Sequence, residues 1–332
     1  MKVDIHAHML VPEILADRGP EDWRPEVIPH PSGGYLVKNK SFVNGPAFKK
    51  IVEADQIVEA MTKAGVDLAA LSTPPYAFYY ELPASEGEKA SMIQNDGLAN
   101  AVASHPKQLA GLGTLPMQDV PMAVKELERV MTRLKLSGVE LSSNVNGEDM
   151  GCDKYRPFWE AAEALGAVVF IHPAFYQHLG NDRMNGYYLK NLLGNPMETT
   201  VFAAHMIFSG MLEDYPKLKI VLAHAGGVLP YLRGRLEHGY EMRPEPKKHI
   251  SRPPSEYLGM FYYDIITHFA PTLQYLIDLV GAEHVVLGSD YPFDMGYDNP
   301  VDVVEQLPGL SQADRELIEG GNALRLLKML NS

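Results

Sequence analysis

Cysteine occurs once in the 332 residues, at Cys152, so no disulfide can form within the chain and a zinc site built on paired thiolates is excluded. No apolar run approaches the roughly 18 residues that would span a membrane. Cationic residues are also in deficit: 29 lysines and arginines face 42 acidic residues, a net charge of −13. A surface of that sign repels phosphate backbones, which argues against nucleic acid as a partner, and an anionic substrate would need a locally basic pocket. Nothing at the start of the chain reads as a signal peptide, because His6 and His8 interrupt the one short apolar run there. The expected location is the cytoplasm. Internal repeats, low-complexity tracts and linkers are missing too, so one domain over residues 1–332 is the simplest reading.

What the chain does have is eight short runs rich in Val, Ile and Leu, at residues 3–8, 66–73, 109–116, 138–143, 167–172, 219–225, 260–266 and 284–290. Helical patterns lie between them, among them residues 53–64 ending before Gly65, 121–134 opening on a proline, and 155–165 ending before Gly166. Near-continuous apolar strands alternating with amphipathic helices predict a parallel sheet, and eight such units predict a closed (β/α)8 TIM-like barrel. Two connections are too long for a plain barrel. Residues 10–50, with the alternating piece Tyr35-Leu36-Val37-Lys38 suggesting a hairpin, and residues 173–195 are expected to be lid insertions after strands 1 and 5.

Several polar residues sit where these runs end. His6 and His8 share one face of the first strand, because the side-chain period is two. The fifth run ends in His172, the sixth in His224 and the eighth in Asp290. Singly, each has a plain structural reading: a surface pair, a core histidine before a proline, a histidine in a tight Gly-rich turn, and a helix N-cap. Together they place five ligands or proton carriers at the catalytic end of one barrel, and imidazole nitrogen with carboxylate oxygen suits Zn²⁺, Mn²⁺ or Fe²⁺. Tyr76, Phe78, Phe175, Tyr187 and Phe293 follow strand ends and serve equally as core packing or as a substrate wall, and His178 lies on the second insertion near the same face.

Longer motifs then resemble one family. Val3–Met9, Gly111-Leu112-Gly113-Thr114-Leu115-Pro116-Met117-Gln118, Asn195-Pro196-Met197-Glu198-Thr199, Ala223-His224-Ala225-Gly226-Gly227 and Leu287-Gly288-Ser289-Asp290-Tyr291-Pro292-Phe293 resemble the amidohydrolase superfamily. Within it they are similar to the metal-dependent decarboxylases typified by aminocarboxymuconate semialdehyde decarboxylase. The resemblance implies one divalent metal, with Zn²⁺ favoured, on His6, His8, His172 and Asp290. It also implies His224 as a general acid/base, Asp290 as a second proton carrier, and a homodimer in which Arg235 reaches a substrate carboxylate across the interface. From the residues alone Arg235 is a surface helix residue. Where the family has an arginine in the early insertion this chain has Gly45, with Lys38, Lys40, Lys49 and Lys50 nearby, and Tyr187 stands where a tryptophan is expected. Binuclear members bridge two metals with a lysine at the end of strand 4; here residues 138–144 hold Glu140 and no lysine, which favours one metal. The expected activity is therefore non-oxidative decarboxylation of a small unsaturated or aromatic carboxylic acid. The alternative is hydrolysis or hydration of a lactone, amide or conjugated acid at the same metal.

Overall fold

Eight strands form, one from each apolar run: β1 (Val3–His8), β2 (Leu68–Ser72), β3 (Leu109–Gly113), β4 (Gly138–Ser142), β5 (Val168–His172), β6 (Lys219–Leu222), β7 (Phe261–Asp264) and β8 (Val285–Val286). The structure is a computed structural model and describes residues 1–15, 23–31, 34–39, 42–47, 49–174 and 178–329. Each strand pairs in parallel with the next in sequence. Beyond β8 the chain returns to β1: Ile5 N–H donates to the Leu287 carbonyl (3.0 Å), Asp290 N–H to His6 (2.8 Å) and His8 N–H to Tyr291 (2.8 Å). These bonds close the ring into the expected barrel.

Long helices separate the strands, including Ala54–Lys63, Ala84–Ser104, Val120–Thr132, Arg156–Leu165, Asn195–Phe208, Leu229–Met242 and Ala270–Val280. Their ends follow local chemistry. The Asp119 carboxylate accepts the Met122 N–H at 3.0 Å to cap one helix start, and Gly166 takes the left-handed conformation (φ 59°) that closes Arg156–Leu165. Among the described residues no helix is long and apolar enough to cross a membrane.

Alternation along β5 positions the site. Val168 and Phe170 face inward, Phe170 lying 4.7 Å from the His6 ring, and the next residue on that face is His172. Below the mouth the barrel is apolar, with Leu68, Ala70, Ala110, Leu112, Val221 and Val286 in one cluster. Each leucine or valine among them contributes roughly 1.5–3 kcal/mol when fully buried, which helps offset the cost of holding charged groups at the mouth.

Both long insertions carry structure of their own. The first contains an antiparallel sheet of three strands, Glu26–Pro29, Tyr35–Asn39 and Phe42–Ala47, rather than the single hairpin suggested by alternation. The second holds a 3-10 turn at Asn181–Arg183 and a π-helical turn at Lys190–Gly194 that runs into the helix Asn195–Phe208. Glu198, on that helix, pins the base of this insertion. One carboxylate oxygen accepts the Leu179 N–H, and the other accepts from Ser143 Oγ (3.2 Å) and Asn144 Nδ2 (2.8 Å).

Candidate metal centre

His6, His8, His172 and Asp290 are buried at the mouth of the barrel, and one ligand atom from each lies within 4.8 Å of all the others. Each imidazole is turned by a partner on its far nitrogen. His6 Nδ1 bonds Asp264 Oδ2 at 2.7 Å, His172 Nδ1 bonds the carbonyl of Pro173 at 2.9 Å, and His8 Nδ1 lies 3.4 Å from the Thr73 carbonyl. All three therefore present Nε2 inward. Asp290 Oδ1 meets them, 3.2 Å from His6 Nε2, 3.1 Å from His8 Nε2 and 4.0 Å from His172 Nε2.

A cation fits this donor set on grounds internal to the protein. His172 Nε2 is buried without a hydrogen-bond partner, an arrangement that is costly unless something else satisfies it. Three imidazole nitrogens and one carboxylate oxygen are the ligands of a divalent transition-type ion.

Charge follows the same geometry. Burial pushes the Asp290 carboxyl up, but His6, His224 and His8 more than reverse this and hold it well below the ordinary carboxylate value. Burial and the adjacent His224 and His6 drive His172 well below the usual imidazole value, which keeps it neutral and able to ligate. For His6, burial pulls downward while Asp290 and Asp264 outweigh it and lift the imidazole to about 10. At neutral pH His6 therefore carries a proton that an incoming cation must displace. Uptake of Mn²⁺ at pH 7 is expected to release about one proton, with apparent affinity rising about tenfold per pH unit until His6 deprotonates. Calorimetry in two buffers of different ionisation enthalpy measures this, and uptake without proton release would contradict it.

His224 stands beside the four ligands. Its Nε2 is 3.6 Å from Asp290 Oδ2, so the two Asp290 oxygens divide between the ligand cluster and the proton carrier. The turn that presents it is unusual, with His224 and Ala225 both in the left-handed region (φ 54° and 55°). Gly227 follows at φ 65°, where a Cβ would come within 2.0 Å of the Pro196 carbonyl oxygen, so only glycine fits. Asp264 holds this turn: Oδ2 accepts the His224 N–H (2.9 Å) and Oδ1 accepts the Ala225 (2.7 Å) and Ile266 (3.0 Å) N–H groups. The same Oδ2 holds His6, so a single buried carboxylate positions one metal ligand and the general acid/base together.

Asp264 was not among the expected site residues. The seventh apolar run reads as residues 260–266 and buries the aspartate mid-run, whereas β7 ends at Asp264 and so places it at the mouth.

The remaining expected residues are spread out. The Phe293 ring meets that of His8 edge-on, with centroids 5.2 Å apart, and so walls the site. Tyr76 is buried in the 3-10 turn Pro75–Ala77 that follows β2. His178 is buried in a 2.8 Å hydrogen bond to Asn195 Oδ1 within the base of the second insertion. Tyr187 is 92% exposed and its neighbour Tyr188 is exposed as well, with its phenol raised by burial and by the charges of Asp294 and Asp290. Phe175 and Lys40 lie outside the described residues. Lys38 pairs with Glu26 at 3.4 Å on the first insertion, and Arg235 is exposed on the helix Leu229–Met242. His205, on the helix Asn195–Phe208, is half-exposed and pairs with Asp149 at 3.1 Å.

A family model described as Amidohydrolase matches residues 3–329. The chain belongs to the amidohydrolase family. Among its relatives, this amidohydrolase is 34% identical to 2-amino-3-carboxymuconate-6-semialdehyde decarboxylase of Dictyostelium discoideum, over 98% of this chain and 91% of that one. Among solved structures it is similar to 5-carboxyvanillate decarboxylase of Sphingomonas paucimobilis, with 26% identity, a TM-score of 0.85 and 99% of each chain covered. It is also similar to dihydroxybenzoic acid decarboxylase of Polaromonas, determined with manganese and the inhibitor 2-nitroresorcinol. That match has 26% identity and a TM-score of 0.83, covering 100% of this chain and 98% of the other.

Proposed function

We propose that this amidohydrolase is a metal-dependent, non-oxidative carboxy-lyase acting on a small aromatic or unsaturated carboxylic acid. The observation that carries the reading is the joining of the ligand cluster to His224 through the two oxygens of Asp290, in a chain whose relatives are named as decarboxylases. His6, His8, His172 and Asp290 would hold the ion, which supplies positive charge to draw electron density from substrate oxygens. Zn²⁺ and Mn²⁺ both suit these ligands, and the manganese of the Polaromonas decarboxylase supports Mn²⁺ as the first to try.

Decarboxylation breaks a carbon–carbon bond and leaves its electron pair on the substrate carbon as CO₂ departs. That carbon must then take a proton. His224 delivers it from Nε2, Asp290 Oδ2 holds the imidazole in place, and His224 regains a proton from solvent. Phe293 presents aromatic surface beside this path, against which an unsaturated or aromatic ring can lie. One ion suffices for this chemistry, consistent with Glu140 rather than lysine in β4.

The proposal extends to a homodimer. On the helix Leu229–Met242, Tyr231, Arg235, His238 and Met242 form one exposed face, beside a cleft of about 410 Å³ lined by Tyr231, Thr267 and Tyr275 that adjoins the His224 turn. A partner seated there would bring Arg235 toward a carboxylate in the neighbouring site. A chain that sediments as a monomer, with an Arg235→Ala variant of unchanged KM, would rule this out.

Product mass balance tests the activity itself. Protein loaded with Mn²⁺ or Zn²⁺ is incubated with hydroxybenzoates, carboxymuconate semialdehydes and related lactones. Loss of CO₂ from any of them is the expected result, and addition of water in its place would move the protein to the hydrolase or hydratase reading.

A further inference from the structure

Glu140 is fully buried in the middle of β4, in register with Phe170 of β5, and faces the barrel interior. Neither of its carboxylate oxygens has a hydrogen-bond partner among the described residues. Ser72, the hydroxyl beside it, directs its own proton to the Ala7 carbonyl at 3.2 Å. A buried carboxylate without hydrogen bonds is expensive, and such groups persist where a nearby cation compensates them. Glu140 Oε2 lies 3.7 Å from His8 Nδ1, on the side of that ring away from Asp290.

From this geometry we infer that Glu140 is the charge partner of His8, a positioning residue that raises the site's affinity for its cation. As with Asp264 behind His6, a carboxylate stands on the Nδ1 side of the ring, here as a charge at 3.7 Å while the Thr73 carbonyl lies 3.4 Å from the same nitrogen. Each histidine of the β1 pair would thus have a negative charge on its Nδ1 side, which makes Nε2 a stronger ligand. The two differ in what else they hold: Asp264 also binds three backbone N–H groups, whereas Glu140 has no such structural duty.

This inference rests on the metal reading, and the test separates the two. Mn²⁺ binding is titrated by electron paramagnetic resonance on the parent and on Glu140→Gln, which keeps the shape and removes the charge, and the melting temperature is measured without added metal. The expected result is a Kd raised about 10- to 100-fold in the variant, one Mn²⁺ per chain in both proteins, and a melting temperature without metal that is unchanged or higher. A Kd within about twofold of the parent overturns the inference, whether or not the melting temperature falls. Two ions per chain in the parent and one in the variant would also overturn it, since Glu140 would then be a ligand itself. A parent that binds no Mn²⁺ or Zn²⁺ overturns the metal reading and this inference with it. If Glu140→Gln does not fold, Glu140→Met, which leaves no buried polar group to satisfy, is read by the same criteria.

Discussion

Replacing His224 with alanine is expected to leave the metal in place and to lower turnover by about 10²- to 10⁴-fold, the usual contribution of a positioned general acid/base. The expectation follows from the division of Asp290. Its Oδ1 faces His6, His8 and His172, while its Oδ2 faces only His224 among these four, so removing His224 leaves the ligand atoms where they are. A conformational explanation is separable. His224 has φ 54°, which alanine tolerates poorly and asparagine tolerates well, so His224→Asn keeps the turn without restoring a proton carrier. Both variants should retain metal by elemental analysis and both should lose turnover. A metal-loaded variant with parent activity would remove His224 from the mechanism. His172→Ala gives the opposite signature: it deletes a ligand, and since loss of a supporting partner alone costs about 10- to 100-fold in metal affinity, loss of the ligand should cost more.

Asp264→Asn is expected to damage stability and metal affinity at once. One carboxylate accepts from four donors: the His6 ring and the backbone N–H groups of His224, Ala225 and Ile266. Asparagine offers a single acceptor oxygen and turns an NH₂ group toward donors it cannot accept from. Whichever way the amide is placed, at least one donor is left buried without an acceptor. Breaking a buried charge-assisted network of this kind costs about 3–5 kcal/mol. The freed His6 ring should add a loss of metal affinity of about 10- to 100-fold, and the loosened turn should lower turnover even at saturating metal. Denaturant unfolding and Mn²⁺ titration read the two effects separately. A variant that matched the parent in both would mean that His6 and the His224 turn are held by something other than Asp264.

The barrel was legible because its strands are buried on both faces and so appear as apolar runs, each bounded by a polar residue. His172 and the two histidines of β1 could be read for that reason, since they occupy fixed positions relative to a strand end. Where the strand stopped short of its apolar run, the reading lost precision. β7 ends at Asp264 although Ile265 and Ile266 continue the run, and those isoleucines hid the carboxylate on which the site depends. Irregular backbone hid more. Tyr187 and Tyr188 are adjacent and chemically alike, and both take left-handed φ values of 58° and 60°, so no period assigns either one to the site, and both are exposed. The alternating stretch at residues 35–38 identified a strand correctly but could not show that it is the middle one of three.

The closure of the ring between β1 and the chain after β8 also determines when the site can exist. His8 and Asp290 are 282 residues apart in sequence and 3.1 Å apart in space. Neither half of the barrel holds a complete ligand set, and a folding intermediate that has not brought residue 290 back to residue 6 has no place to hold the ion. Contacts of such separation raise the contact order of the fold, which slows folding. An ion held by His6, His8, His172 and Asp290 would tie β1 to the chain after β8, and so would act as a clasp across the seam.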